Sequence, residues 1–174
     1  PDGTLYRSEI VPTVIAWLNG RILVGEGASQ MKYQLKKGKN IWYSFKMELG
    51  EDLGAKYYDS ELREIDPFRI KNPVDAARVF FAYLKYLIIK YCTENNVSTD
   101  ILYAVSIPAS FEANQRKDLL DALMANDMKV SKQALIDEPN AAFISYAVSR
   151  VAEDRPMFIS PDYNSKVLVF DFGG

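Results

Sequence analysis

Apolar and β-branched residues run from Ile10 to Leu18, Asn19-Gly20 interrupts them, and Arg21-Ile-Leu-Val24 resumes the pattern. Two strands are expected, because Asn-Gly supplies the two positive-φ positions of a type I′ hairpin turn. Pro12 cannot donate to a ladder, so the first strand should begin late or lie at an edge. From Ala28 to Lys37 the spacing is helical, with Met31 and Leu35 one turn apart and Gly38 as the stop. A second short helix is expected over Trp42 to Leu49, closed by Gly50. Between Glu51 and Lys71 the periodicity fades into an irregular connection. Asn72-Pro73 restarts order, since asparagine is a good N-cap and proline fits the first helical turn, where its missing N–H costs nothing. The helix from Val74 to about Tyr91 should present Ala77, Phe80, Phe81, Leu84, Leu87, Ile88 and Tyr91 to a sheet and leave Arg78, Lys85 and Lys90 to solvent.

Beyond Asn95-Asn96 strand and helix patterns alternate. Ile101 to Ile107 reads as a strand, Glu112 to Ala125 as a helix, Ala134 to Ile136 as a short strand, Asn140 to Ser149 as a helix, and Val167 to Phe170 as a last strand. Alternation of this kind predicts an α/β fold with parallel strands and crossover helices. The segment Glu153 to Ser165, with Pro156, Pro161 and Asp162-Tyr-Asn164, reads as a loop. No internal repeat or low-complexity tract interrupts this order.

Composition narrows the chemistry. At 174 residues, 48% hydrophobic and 25% charged, the chain can bury a sizeable core. A net charge of −2, with Lys and Arg spread along the sequence, argues against nucleic acid as a partner. The longest apolar run, Val79 to Leu84, is broken by Lys85 and is too short for a bilayer, and no secretory leader is expected at Pro1. Cys92 is the single cysteine and there are no histidines, which removes an internal disulfide, the commonest zinc ligand and the commonest general base. Cytoplasmic chemistry with carboxylates, lysines and Mg²⁺ remains.

Four segments bear on the chemistry. Lys166-Val-Leu-Val-Phe-Asp171-Phe172-Gly173-Gly174 runs a strand into an acid and two glycines, which suits a carboxylate beside a metal and bare amides beside a phosphate. In Ile136-Asp137-Glu138-Pro139-Asn140-Ala-Ala the acids stand at the start of a helix. There they serve either as caps on the dipole or as ligand groups at the carboxyl end of a strand. Pro108, in Ala104-Val-Ser-Ile-Pro108-Ala-Ser-Phe111, is locally no more than a strand terminator, and Lys46, in Trp42-Tyr-Ser-Phe-Lys46-Met-Glu-Leu-Gly50, no more than an exposed helical lysine.

The order of these strings changes their weight. Phe-Lys-x-x-Leu-Gly, a long helix, Ser-Ile-Pro-Ala-Ser-Phe with Gln115-Arg116, then Ile-Asp-Glu-Pro-Asn-Ala-Ala, then Leu-Val-Phe-Asp-Phe-Gly-Gly resembles the seventy-kilodalton heat-shock chaperone family over nearly the whole chain. The resemblance implies the first lobe of an actin-like ATPase (ribonuclease H-like) fold. It divides the chain into a peripheral subdomain over residues 1–72 and an α/β core with a mixed sheet over residues 73–174. By matched position, Lys46 is implied to reach the γ-phosphate and the attacking water. Glu138 would stand near that water and the Mg²⁺ shell, and Asp171 would order Mg²⁺-bound water. Gly173 and Gly174 would open the second phosphate loop, and Pro108 and Arg116 would relay nucleotide state toward a partner domain. ATP or ADP with Mg²⁺ is the implied cofactor, and a co-chaperone or peptide-binding domain the implied partner.

Departures from the family pattern shape the remaining expectations. Pro1 aligns after the family's first phosphate loop, so the N-terminal meander is expected to be missing and the chain to be a piece of a larger, divergent ATPase, inactive by itself. Asn140 stands where threonine is usual, Phe172 where leucine is common, and Gly50 to Pro73 looks short. A pseudo-ATPase interaction scaffold of the same fold and a small-molecule kinase of the same superfamily are the alternatives.

Overall fold

The computed structural model describes residues 10–53, 58, 69–131, 134–152 and 168–169. The hairpin forms as its turn chemistry requires. Strand β1 (Val14–Leu18) pairs antiparallel with β2 (Arg21–Val24), Leu18 opposite Arg21, and the linking Asn19 and Gly20 have φ of 51° and 73°. The ladder starts two residues after Pro12, whose carbonyl accepts from the Val14 N–H at 2.8 Å.

A third strand, β3 (Ile41–Tyr43), pairs with the other edge of β1, Ile15 opposite Trp42, and gives the order β2-β1-β3. Here the helix expected over Trp42 to Leu49 fails. The Ile-Trp-Tyr triplet is taken into the sheet, Ser44 turns with φ 63°, and only i→i+3 turns follow as far as Gly50, with φ 79°. β-Branched and aromatic residues fit a pleated, covered surface better than a helix turn. The helix expected over Ala28 to Lys37 is likewise reduced to one turn, α1 (Glu26–Ser29). Isolated turns carry the chain on to Leu35, and the Asn40 side chain captures the Lys36 N–H at 2.9 Å.

Both faces of β1 are covered, which accounts for its unbroken apolar run. On one face Val14 and Ala16 join Ile41 and Ala28, with Leu23, Met31, Leu35 and Tyr43 packed around them. On the other, Ile15 and Trp42 are fully buried on the side that meets the long helix α2 (Pro73–Glu94). Asn72 caps α2 from the extended region, its Oδ1 accepting from the Asp75 N–H at 2.8 Å, while the Asp75 carboxylate accepts from the Lys71 N–H at 3.0 Å.

The buried residues of α2 crowd its first half: Pro73, Ala76, Ala77, Val79 and Phe80, then Cys92 alone. Phe80 meets the Phe45 ring edge-on at 6.1 Å. Tyr91, expected on the inner face, is 63% exposed, whereas Cys92 beside it is buried. Lys85, expected in solvent, instead donates to the Asn126 carbonyl at 2.6 Å. That carbonyl lies just past α3 (Ala113–Met124), where a cation complements the negative end of the helix dipole. The Asn126 side chain answers by donating to the Arg78 carbonyl at 2.9 Å, so α2 and α3 are stitched together.

The alternating half contains β4 (Val105–Ile107) and β5 (Leu135–Asp137), adjacent and parallel, with Ile107 opposite Asp137. α3 lies between them in the chain, and α4 (Glu138–Ala152) follows β5 directly and packs on the pair. β4 is shorter than the strand expected from Ile101, although residues 101–107 keep an extended chain's alternation, with Leu102, Ala104 and Ser106 exposed and Ile107 buried. Of the strand expected over Val167 to Phe170 only Leu168 and Val169 are among the described residues, and neither is in a strand. The chain divides into two compact units. One runs up to Ile101 and includes Ala113–Lys129; the other comprises Leu102–Glu112 and the chain from Val130 on. Among the described residues no helix is long and apolar enough to cross a membrane.

Candidate functional site

In the second unit, Pro108 and Glu138 each directly follow a strand, β4 and β5. Those strands are hydrogen-bonded neighbours in parallel register, so both residues stand one step beyond the Ile107–Asp137 pairing, at the carboxyl edge of the pair. Ligands of open α/β sheets gather at this edge, because strands end there and helix N-termini begin. Pro108 closes its strand with a turn in which its carbonyl accepts from the Phe111 N–H at 3.0 Å. Glu138 is the first residue of α4 and half-buried, so its carboxylate lies at the positive end of that helix. Capping and ligand binding both call for an acid at this position, and for that reason local sequence does not separate them.

Lys46 and Arg116 belong to the first unit. Lys46 is half-buried on the turn between β3 and Gly50, flanked by Phe45 and Leu49, which are 2% and 1% exposed and anchor the turn in the core. It is therefore a lysine on a turn, not on a helix. Two residues on, the Glu48 carboxylate receives the Lys37 ammonium at 2.7 Å and the Tyr58 hydroxyl at 3.0 Å. The Lys37 ammonium also lies 4.8 Å from the centre of the Tyr43 ring.

The turn ends on α3. The Gly50 N–H donates to Asp118 Oδ2 at 2.8 Å, and the Gly50 carbonyl accepts from Asn114 Nδ2 at 3.1 Å. Asn114 and Asp118, four residues apart, share one face of α3, whereas Arg116 leaves the helix roughly 200° from Asn114. Neighbouring Lys117 is pushed above its ordinary value by its hydrogen bond to Asp121 and by that carboxylate's charge, a surface pair outside the site.

Sequence reasoning missed Glu48, Asn114 and Asp118. Asn114 and Asp118 have their partner, Gly50, far off in the chain, Glu48 has Tyr58 and Lys37 ten and eleven residues away, and an acid and an amide at helical spacing read as a solvated face. Gly50 was the available signal: φ is +79°, and a Cβ there would meet the side chains of Asn114 at 2.7 Å and Gln115 at 2.9 Å, so any other residue is strained and must displace them. Asp171, Gly173 and Gly174 lie outside the described residues. Among the described residues no group of three or more His, Cys, Asp or Glu could hold a metal by itself. A separate groove of about 530 Å³ between the hairpin and α2, lined by Trp17, Ile22, Val24, Val79 and Tyr83 among others, carries no charged lining residue and does not suit a phosphate.

A mixed α/β chain of small sheets, with a proline and an acid at the ends of neighbouring parallel strands, is compatible with the actin-like ATPase class. Comparison with known proteins gives the family directly: the family described as Hsp70 protein matches residues 6–174. A heat shock cognate HSP70 protein of Trypanosoma brucei brucei is 26% identical over 94% of this chain and 25% of its own length. A chaperone protein DnaK of Nitrosopumilus maritimus is 28% identical over 99% of this chain and 23% of its own length. The chain belongs to the Hsp70 family, and it spans about a quarter of these relatives.

Proposed function

We propose that this chain forms one wall of a nucleotide cleft in an Hsp70-type ATPase, which binds Mg-ATP between two lobes and hydrolyses its γ-phosphate to drive a conformational change. The observation that carries this is the placement of Pro108 and Glu138 at the ends of adjacent parallel strands in a chain of this family. Strand ends fixed by a ladder hold a carboxylate steadily, and phosphoryl transfer to water relies on positioning and electrostatics rather than on a covalent intermediate.

In this reading Lys46 extends its ammonium toward the γ-phosphate and the attacking water, a role suited to a compact charge on a flexible stem. Glu138 orients water at the phosphate, and Asp171 holds water in the metal shell. Gly173 and Gly174 offer unhindered amides to the phosphates. Magnesium, which retains most of its waters and needs few protein oxygens, fits a site where Glu138 is the described hard donor; when bound it neutralises charge developing on the phosphate oxygens. Pro108 and Arg116 pass the state of the cleft to a partner domain or co-chaperone. A single cysteine, buried in α2, suits a reducing compartment such as the cytoplasm.

The test is Lys46→Ala in the full-length protein. Single-turnover release of γ-phosphate should slow by about a hundredfold or more, the scale of losing a charge-stabilising group, with Mg-ATP affinity nearly unchanged. An unchanged rate, or a matching loss of affinity, would show that Lys46 has another role.

A further inference from the structure

We propose that Asn114 and Asp118 are positioning residues for Lys46, through which helix α3 sets where the lysine ammonium lies. This rests on the reading of Lys46 given above. The turn that carries Lys46 is held at three places. Upstream, Tyr43 is fixed opposite Val14 in the sheet. In the middle, Phe45 and Leu49 are buried, and the Glu48 carboxylate is bound by Lys37 and Tyr58.

Downstream, both polar groups of the Gly50 backbone are bound by one face of α3, the N–H by Asp118 and the carbonyl by Asn114. Contact is close enough that a Cβ on Gly50 would fall 2.7 Å from Asn114 Nδ2. The first anchor belongs to the sheet, and the second joins the turn to Lys37, Tyr58 and, through Phe45, to Phe80 of α2. The third is the one that ties the backbone of the turn to α3. Only three residues, in tight i→i+3 turns, separate Gly50 from Lys46, too few and too constrained to absorb a shift of the helix.

Asp118 serves here as an acceptor for a backbone N–H, not as a charge. An amide oxygen can do the same, whereas a hydrocarbon of similar volume cannot. Misplacing a reacting group by about 1 Å costs up to about 10²-fold in rate, so partial release of the turn should cost about tenfold. Because the effect passes through Lys46, it should vanish once that side chain is gone, which is non-additivity of the kind that coupled residues show.

The experiment is single-turnover ATP hydrolysis by the full-length protein carrying Asp118→Leu, Asp118→Asn or Asn114→Ala, each alone and combined with Lys46→Ala, with Mg-ATP affinity measured alongside. Asp118→Leu should slow turnover about tenfold at unchanged affinity, and Asn114→Ala, at an exposed position, by about threefold. Asp118→Asn should stay within about twofold of the unsubstituted protein. In the Lys46→Ala background all three should turn over alike. A full-speed Asp118→Leu variant overturns the proposal, as does an equal proportional loss in both backgrounds or a failure of Asp118→Asn to rescue. Should Asp118→Leu not fold, Asn114→Ala carries the same comparison. If Lys46→Ala alone leaves turnover unchanged, the reading of Lys46 fails and the positioning role falls with it, a result distinct from loss of the clasp alone.

Discussion

Gly50→Ala tests the contact between the Lys46 turn and α3 through stability alone. Gly50 has φ +79°, and an alanine held in the left-handed region costs about 1–2 kcal/mol. Its Cβ would lie 2.7 Å from Asn114 Nδ2, so Asn114 must swing away and give up its 3.1 Å bond to the Gly50 carbonyl, worth about 1 kcal/mol net. Restricting the unfolded chain returns about 0.4–1 kcal/mol. The sum is a loss of about 2 kcal/mol.

Gly20→Ala is the matched control, with φ +73° and nothing within 4 Å of the new Cβ. It meets the backbone cost without the clash and should lose only about 1 kcal/mol. Urea unfolding of the full-length proteins, compared by midpoint at unchanged slope, measures the difference. Adding Asn114→Ala to Gly50→Ala should recover part of the loss by removing the obstructing amide. The reasoning is refuted if Gly50→Ala is no more destabilising than Gly20→Ala.

Three further positions test the scaffold. Asn72→Ala should cost about 1 kcal/mol by removing the acceptor for the Asp75 N–H, while Asn72→Ser or Asn72→Asp should cost little; urea midpoints distinguish them. Ile15→Ala, at a fully buried position between Val24 and Trp42 in the sheet, should cost about 2–5 kcal/mol. Ile10→Ala, at a side chain 76% exposed, should shift the same midpoint by less than about 0.5 kcal/mol.

What the sequence made legible is what local chemistry decides. Asn19-Gly20 determines its turn without reference to the rest of the chain, and Asn72-Pro73 likewise starts α2. Alternating patterns sufficed for the parallel pair of β4 and β5, because a strand, a helix and a second strand in succession leave few topologies. Ile41 to Tyr43 failed as a helix because three residues contain no period of their own, and only pairing with β1 makes them a strand. Lys85 failed because helical spacing shows which residues share a face, not which neighbouring element reaches that face. For the candidate site, family resemblance singled out Lys46, Pro108, Arg116 and Glu138. Local chemistry alone left each with a structural alternative. The clasp on Gly50 joins residues far apart in the chain, and no local pattern marks it.

Isothermal titration of the full-length protein with Mg-ATP tests the central claim most directly. Saturable binding of one nucleotide per protein is expected, weakened when magnesium is chelated. A protein with intact circular dichroism and cooperative unfolding that gives no binding heat at any temperature tried, and no protection of nucleotide in equilibrium dialysis, would contradict it.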